Sequence, residues 1–286
     1  MEAQRIDGKF IAQAEREKLI PRIKELTLQG NQPGLSVILV GEDPASMVYV
    51  GSKEKTAKAL GIQGQVYRLA KDTSLEVLLE LIEQLNNDAS VHGILVQMPL
   101  PAHLDENKVI KAILPEKDVD GFHPLNAGAL LAGQPCTLPC TPRGIMKLIK
   151  STGIDLCGKH AVVIGRSAIV GKPVAMLLLQ EHATVTICHS RTPDLSQFTR
   201  QADVLVSAVG RPNLVQKHMV KPGAIVIDVG INRTPDGKLC GDVDYDQVKE
   251  VAGYITPVPG GVGPMTIAML MRNTVDAAAR ACGLDV

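Results

Sequence analysis

The sequence has no tryptophan, and only four tyrosines and three phenylalanines in 286 residues. A surface that stacks single-stranded bases needs more aromatic faces than that. Neither sign of charge is in excess: thirty Lys and Arg match thirty Asp and Glu. A dedicated nucleic-acid binder is therefore not expected, although a local basic cluster is compatible with this balance. None of the six cysteines, at 136, 140, 157, 188, 240 and 282, forms a C-x-x-C pair. A chain of this length does not need disulfides to fold, so reduced thiols are expected. Ser-His-Asp order, H-E-x-x-H and clustered Cys/His are missing too, so neither a hydrolytic triad nor a metal site is assigned. No apolar run approaches a bilayer span, and no basic, apolar and small-residue series marks a leader. The expectation is a soluble cytoplasmic protein without a membrane partner.

What is present is an ordinary globular composition, 45% hydrophobic and 21% charged, in a length suited to two domains. Apolar runs of strand length, Gly34–Gly41, Gln65–Ala70 and Gly93–Met98, alternate with stretches of helical period at Gly8–Gln29, Ser46–Leu60 and Leu75–Asn87. Pro21 should kink or split the first of these helices. A second series begins near His160 with HAVVIG, TVTIC, DVLVSAVG and AIVIDVG. Continuous apolar strands separated by helices predict an α/β fold whose parallel sheets are covered on both faces. The Pro-, Gly- and Cys-rich stretch Gly121–Pro142 suits a connection between two domains with a short helix inside it. After Gly263 the pattern is helical, and by itself it does not say which domain that helix caps.

The run AVVIGRSAIVGKP, Ala161–Pro173, reads as a strand, a tight turn at Gly165 and a helix opened by Gly171. Such a unit places a pyrophosphate at the helix N-terminus. The fingerprint is imperfect, because Ser167 takes the second glycine position and the last glycine comes one residue late. An NAD site would place a carboxylate at the end of the following strand. Here that end reads Cys188-His189-Ser190-Arg191-Thr192. Arg166 and Arg191 are each consistent with a solvated surface charge. Taken with Ser190, they are what a 2′-phosphate asks for, and they point to NADP. Downstream, Ile231 follows the strand ending in Asp228 and either packs near a nicotinamide or belongs to an ordinary turn.

In the first half, Asp43-Pro44 forms a turn and Ser46 is the expected N-cap of the next helix. Tyr49 and Lys53, four residues apart, share one face of that helix. Lining a pocket they form an acid/base or positioning pair; on an exposed face they are an unremarkable surface pair. Gln97 closes the buried run GILV and needs a hydrogen-bond partner, for which Lys53 is proposed. Asp120, in KDVDG, is either a turn residue or part of the same site.

DPAS-x-x-Y-x-x-x-K, GILVQMPLP, KDVDGFHP, GRSAIVGKP and TPVPGGVGPMT, in that order, resemble the bifunctional methylenetetrahydrofolate dehydrogenase/methenyltetrahydrofolate cyclohydrolase family over nearly the whole chain. The resemblance implies two reactions of one-carbon metabolism. Methylenetetrahydrofolate is oxidised with NADP⁺ and the methenyl product is hydrolysed to 10-formyltetrahydrofolate. It further implies Lys53 as the central catalytic residue, Gln97 bonded to it, Tyr49 packed on the folate and Asp120 holding the pterin. Lys53 is expected in a partly desolvated cleft where its neutral form is accessible. Cofactor contacts are implied at Gly165, Arg166, Ser167, Ser190 and Ile231, with the loop of Pro259, Gly260 and Gly261 bordering the substrate cleft. A homodimer of the stand-alone form is implied as well. The expected domains are residues 1–139 completed by helix 265–286 for folate, and a Rossmann-type domain over 140–264. Two other readings stay on the table: an NADP-dependent enzyme of the shikimate-dehydrogenase type, and a non-catalytic nucleotide-binding sensor.

Overall fold

The computed structural model of the chain describes residues 2–234 and 237–285. It divides into two compact α/β units, Ala14–Cys140 with Ile267–Val286, and Met1–Gln13 with Thr141–Thr266.

The first unit is built on three parallel strands in the order Gln63–Leu69, Gly34–Val40, Gly93–Val96. Every residue of the last two is buried, which is why they read as unbroken apolar runs rather than alternating ones. Helix Leu75–Asn87 sends Leu78, Ile82 and Leu85 into the core from one face, where they join Ile38, Ile94 and Val96. The expected long first helix is two helices, Gly8–Glu17 and Ile20–Leu28. The break falls just before Pro21, which sits in the opening turn of the second helix, where a missing N–H leaves no carbonyl unpaired.

The last part of helix Val262–Ala281 belongs to this unit. There the fully buried Asn273 donates from Nδ2 to the carbonyls of Val119 (2.8 Å) and Leu138 (2.9 Å). Cys140 Sγ donates to the same Val119 carbonyl at 3.2 Å. The C-terminal helix therefore fastens the segment around residue 119 from behind.

The second unit carries six parallel strands in the order Gln4–Arg5, Tyr254–Ile255, Ile225–Asp228, Val204–Ser207, His160–Ile164, Thr184–Cys188. The five strands after residue 159 have the doubly wound order 2-1-3-4-5, whose direction reverses between His160–Ile164 and Val204–Ser207. Val162, Ile164, Leu205, Val226 and Ile255 form the core against this sheet.

The first residues lie elsewhere than the sequence reading placed them. Gln4–Arg5 extends the six-stranded sheet, with Ile6 N–H donating to the Ile255 carbonyl at 2.8 Å. A strand of two residues has no periodicity to read, so the open edge at Tyr254–Ile255 decides its place. No helix among the described residues is long and apolar enough to cross a membrane.

Asn273→Ala removes the amide donor shared by the Val119 and Leu138 carbonyls and leaves Val119 only the weak Cys140 thiol. It should cost about 1–3 kcal/mol in chemical denaturation, and an unchanged unfolding midpoint would show that the helix does not hold the segment this way.

Candidate active site

Helix Pro44–Leu60 begins with Asp43, not Ser46, as its N-cap. Asp43 Oδ2 accepts from the Ser46 N–H at 2.8 Å, and this bond holds the carboxyl below its ordinary range. Pro44 takes the first helical position, which it fills without cost, so the cap falls one residue before the proline and Ser46 is carried inside and buried. The helix then presents Tyr49 and Lys53 one turn apart. Lys53 is buried, only 7% exposed, and its Nζ donates to Gln97 Oε1 at 2.8 Å. Gln97 Nε2 donates in turn to the Met98 carbonyl at 2.7 Å, which fixes which end of the amide faces the lysine. Strand Gly93–Val96 ends one residue earlier, and the Met98–Pro99 peptide that follows is cis. Tyr49 is half-buried, and burial pushes its phenol above the ordinary range, so it is a neutral hydroxyl at neutral pH.

Asp120 reaches the same place by another route. Buried Asp118 accepts from the backbone N–H groups of Gly121 (3.0 Å), Phe122 (3.2 Å) and His123 (2.8 Å), and from Asn126 Nδ2 (2.9 Å). That carboxylate folds the loop after it into a turn, with Gly121 at φ +75°. Burial pushes the carboxyl of Asp120 up to about 6, with the Lys53 ammonium pulling it down and Asp118 adding to the rise. Lys53, Gln97 and Asp120 are thus brought together within one unit, with Tyr49 a helical turn away.

In the six-stranded unit the turn after His160–Ile164 has Gly165 at φ +123°, where a Cβ would overlap the Ala208 carbonyl oxygen. A side chain on Gly171 would likewise overlap the Gly165 carbonyl. Ser167 does not behave as a substitute glycine: its Oγ accepts from the N–H groups of Val170 (3.1 Å) and Gly171 (3.2 Å), closing the turn onto helix Gly171–Gln180. Outside the carboxyl ends of the strands at the sheet's reversal lies a cavity of about 310 Å³, lined among others by Gly165, Arg166, Ser190, Val209 and Arg211. A second of about 370 Å³ adjoins it and shares Ser190 and Arg211, adding Thr192, Asp194 and His218. Arg191 is exposed and lines neither of these two cavities. Ile231 stands half exposed after strand Ile225–Asp228.

Two buried carboxylates hold these loops. Asp242, fully buried, accepts from the N–H groups of Val209 (2.8 Å), Gly210 (3.2 Å) and Arg211 (2.8 Å) and from Asn232 Nδ2 (3.0 Å). Asp228 in turn accepts from the N–H groups of Asp242 (2.9 Å), Val243 (2.9 Å) and Gly230 (3.0 Å). Burial and the neighbouring Asp242 push Asp228 up to about 7, against the pull of these hydrogen bonds. Gly230 and Gly241 lie so close to Asp242 and Asp228 that a side chain on either would overlap a carboxylate. The loop of Pro259, Gly260 and Gly261 belongs to this unit and packs on the start of the first helix, where a Cβ on Gly8 would overlap the Gly261 carbonyl.

Sequence reasoning missed Asp118, Asp242, Asn273 and Arg211. Asp242 and Asn273 act by hydrogen bonds to distant backbone, which leaves no local signal, whereas Asp118 bonds N–H groups only three to five residues on, within the KDVDGFHP run. Arg211 had a local signal too, since it lies four residues beyond the end of strand Val204–Ser207, directly after Val209-Gly210.

Family models match both halves. The tetrahydrofolate dehydrogenase/cyclohydrolase catalytic domain matches residues 6–120, and the NAD(P)-binding domain of the same enzymes matches residues 139–282. The bifunctional protein FolD of Magnetococcus marinus is 61% identical over 96% of this chain and 97% of its own. The crystal structure of the bifunctional FolD dehydrogenase/cyclohydrolase of Campylobacter jejuni superimposes with a TM-score of 0.96 at 51% identity, covering 97% of this chain and 99% of that one. The Trypanosoma brucei methylenetetrahydrofolate dehydrogenase-cyclohydrolase, complexed with NADP and an inhibitor, gives 0.94 at 40% identity over 99% of both chains. The chain belongs to the tetrahydrofolate dehydrogenase/cyclohydrolase family.

Proposed function

We propose that the chain oxidises 5,10-methylenetetrahydrofolate to 5,10-methenyltetrahydrofolate with NADP⁺ and then hydrolyses the product to 10-formyltetrahydrofolate, and that Lys53, Tyr49, Gln97 and Asp120 carry the chemistry. The observation that carries this reading is the buried Lys53 bonded to Gln97 beside a half-buried Asp120, inside the stretch that matches the family's catalytic domain.

The residues of the six-stranded unit fit a dinucleotide. Gly165 leaves room for a pyrophosphate against the backbone, the N-terminus of helix Gly171–Gln180 offers its dipole, and Arg166 and Ser190, which line one cavity, suit a 2′-phosphate. NADP⁺, when bound, supplies the hydride acceptor. The hydride leaves a carbon flanked by two nitrogens, which delocalise the resulting cation, so the protein's part in this step is orientation. Tyr49 lies against the folate as a neutral face, and Asp120 accepts from the N–H donors of the pterin.

Hydrolysis asks more of the side chains. Water adds to the methenyl carbon, one carbon–nitrogen bond breaks, the freed nitrogen takes a proton and a net proton is released. Lys53, held by Gln97 and shielded from solvent, is the group that moves these protons. The chain acts in the cytoplasm as a homodimer. The strand Thr184–Cys188 at the edge of the six-stranded sheet, with Ile187 exposed, supports pairing of two copies, and light scattering at the mass of two chains is the expected result.

Lys53→Met should lower cyclohydrolase turnover by about 10²–10⁴-fold with the circular dichroism spectrum and NADP⁺ affinity unchanged. Full turnover would remove Lys53 from the mechanism.

The pH dependence has two opposite slopes. With its carboxyl raised from 3.8 to about 6 in the folded chain, Asp120 binds its proton more tightly when folded. Its contribution to stability is therefore complete below 3.8 and falls as pH rises through about 6. Substrate binding runs the other way, because the ionised acceptor disappears below about 6. KM for methylenetetrahydrofolate should rise as pH falls through that value, and Asp120→Asn should flatten both slopes. A KM indifferent to pH in the parent enzyme would exclude an ionised Asp120 from the folate site.

A further inference from the structure

Ser190 is shared by the two adjoining cavities of the six-stranded unit, and so is Arg211, twenty-one residues later in the chain and on a different strand end. Arg191, next to Ser190 in sequence, lines neither. Its own N–H donates to His189 Nδ1 at 3.1 Å within the turn, while Thr192 Oγ1 accepts from the His189 N–H at 2.9 Å. The turn is closed on itself, and residue 191 sits on its exposed side.

Arg211 differs in two ways. Its backbone is fixed by the buried Asp242 carboxylate, which takes the N–H groups of three successive residues, 209, 210 and 211. Its guanidinium makes no ion pair among the described residues, although it borders a cavity that also holds Arg166. Two arginines lining one cavity concentrate positive charge there, which an anion between them would relieve. The acid nearest in the adjoining cavity, Asp194, is occupied in capping a helix, accepting from the Ser196 N–H (3.0 Å) and Oγ (2.7 Å). The other titratable groups facing this space are His189 and His218, which add no negative charge.

We propose that Arg211, rather than Arg191, is the second cation that binds the 2′-phosphate beside Ser190 and Arg166, and that it sets the preference for NADP⁺ over NAD⁺. The proposal rests on the reading of this unit as a dinucleotide site. Arg211 belongs to a backbone-anchored loop, so little loop entropy is lost when the phosphate arrives. Both arginines are exposed and both offer the paired donors of a planar guanidinium, but only Arg211 lines the two cavities that hold Ser190.

The test is calorimetric titration of NADP⁺ and of NAD⁺ into the full chain without folate, for the parent, Arg211→Gln, Arg211→Lys and Arg191→Gln, with KM and kcat for both cofactors measured alongside. For Arg211→Gln the expected result is an NADP⁺ dissociation constant raised about tenfold or more. Its NAD⁺ affinity and its kcat at saturating NADP⁺ should stay within about twofold. Arg211→Lys should recover part of the loss, and Arg191→Gln should bind both cofactors like the parent. Unchanged NADP⁺ affinity in Arg211→Gln, or a tenfold loss in Arg191→Gln instead, would overturn the assignment. Equal loss of NADP⁺ and NAD⁺ would overturn it too, since that pattern marks a collapsed loop. A parent enzyme that binds NAD⁺ as tightly as NADP⁺ would bring down the 2′-phosphate reading itself, and this proposal with it.

Discussion

A strand buried on both faces carries few polar side chains, and groups that are to meet a ligand come beyond its carboxyl end. The central strands of both sheets keep to that pattern, and the positions of the candidate chemistry follow from it. Gly93–Val96 is wholly buried and its first functional group, Gln97, comes on the next residue. His160–Ile164 is followed by Gly165 and Arg166, Thr184–Cys188 by His189 and Ser190, and Val204–Ser207 by the turn that carries Arg211. Parallel pairing sends all these ends to the same side of a sheet, so residues far apart in sequence meet without any one of them being inside the core.

The loops at those ends are long enough to wander, and buried carboxylates stop them. Asp118 gathers three consecutive N–H groups and one side-chain amide around the turn that bears Asp120. Asp242 does the same for residues 209–211 and reaches across to Asn232. In both cases the charge removed from water is compensated by backbone donors rather than by a cation. Among the described residues a neighbouring side chain then makes no side-chain hydrogen bond of its own: Asp120 in one unit, beside the Lys53 ammonium, and Arg211 in the other. Desolvating such a carboxylate is expensive, and only a full set of donors makes it stable. The close contacts at Gly230 and Gly241 follow, because the donors approach Asp242 and Asp228 only if no side chain stands in the way.

Much of this was legible in the residues and some was not. Strand and helix positions followed from apolar runs and periodicity, and Pro21 marked the break between two helices. The partnership of Lys53 with Gln97 could be argued from the cost of a buried amide, and the bond is there. The cap at Asp43 was misread because serine is an equally good cap in isolation and only the proline at the next position decides between them. Residues 4 and 5 gave no signal, being a strand defined solely by the edge they meet. Adjacency in sequence pointed to Arg191 beside Ser190, whereas adjacency in space favours Arg211. A reversal in strand order juxtaposes different strand ends, and no linear pattern displays that.

The two polar clusters also differ in a way their tasks explain. Around Arg211 the structure supplies position and positive charge and leaves the counter-charge to a ligand. Around Lys53 the direct partner is neutral. Gln97 takes one donor of the lysine and adds no charge, where a carboxylate in the same place would tie the nitrogen into an ion pair. The carboxyl that is nearby, Asp120, is itself raised to about 6 by burial, so it too is poised close to neutrality. A site for holding a fixed phosphate gains from permanent charge on an anchored backbone. A site through which protons must pass gains from groups whose charge is not locked by a direct partner.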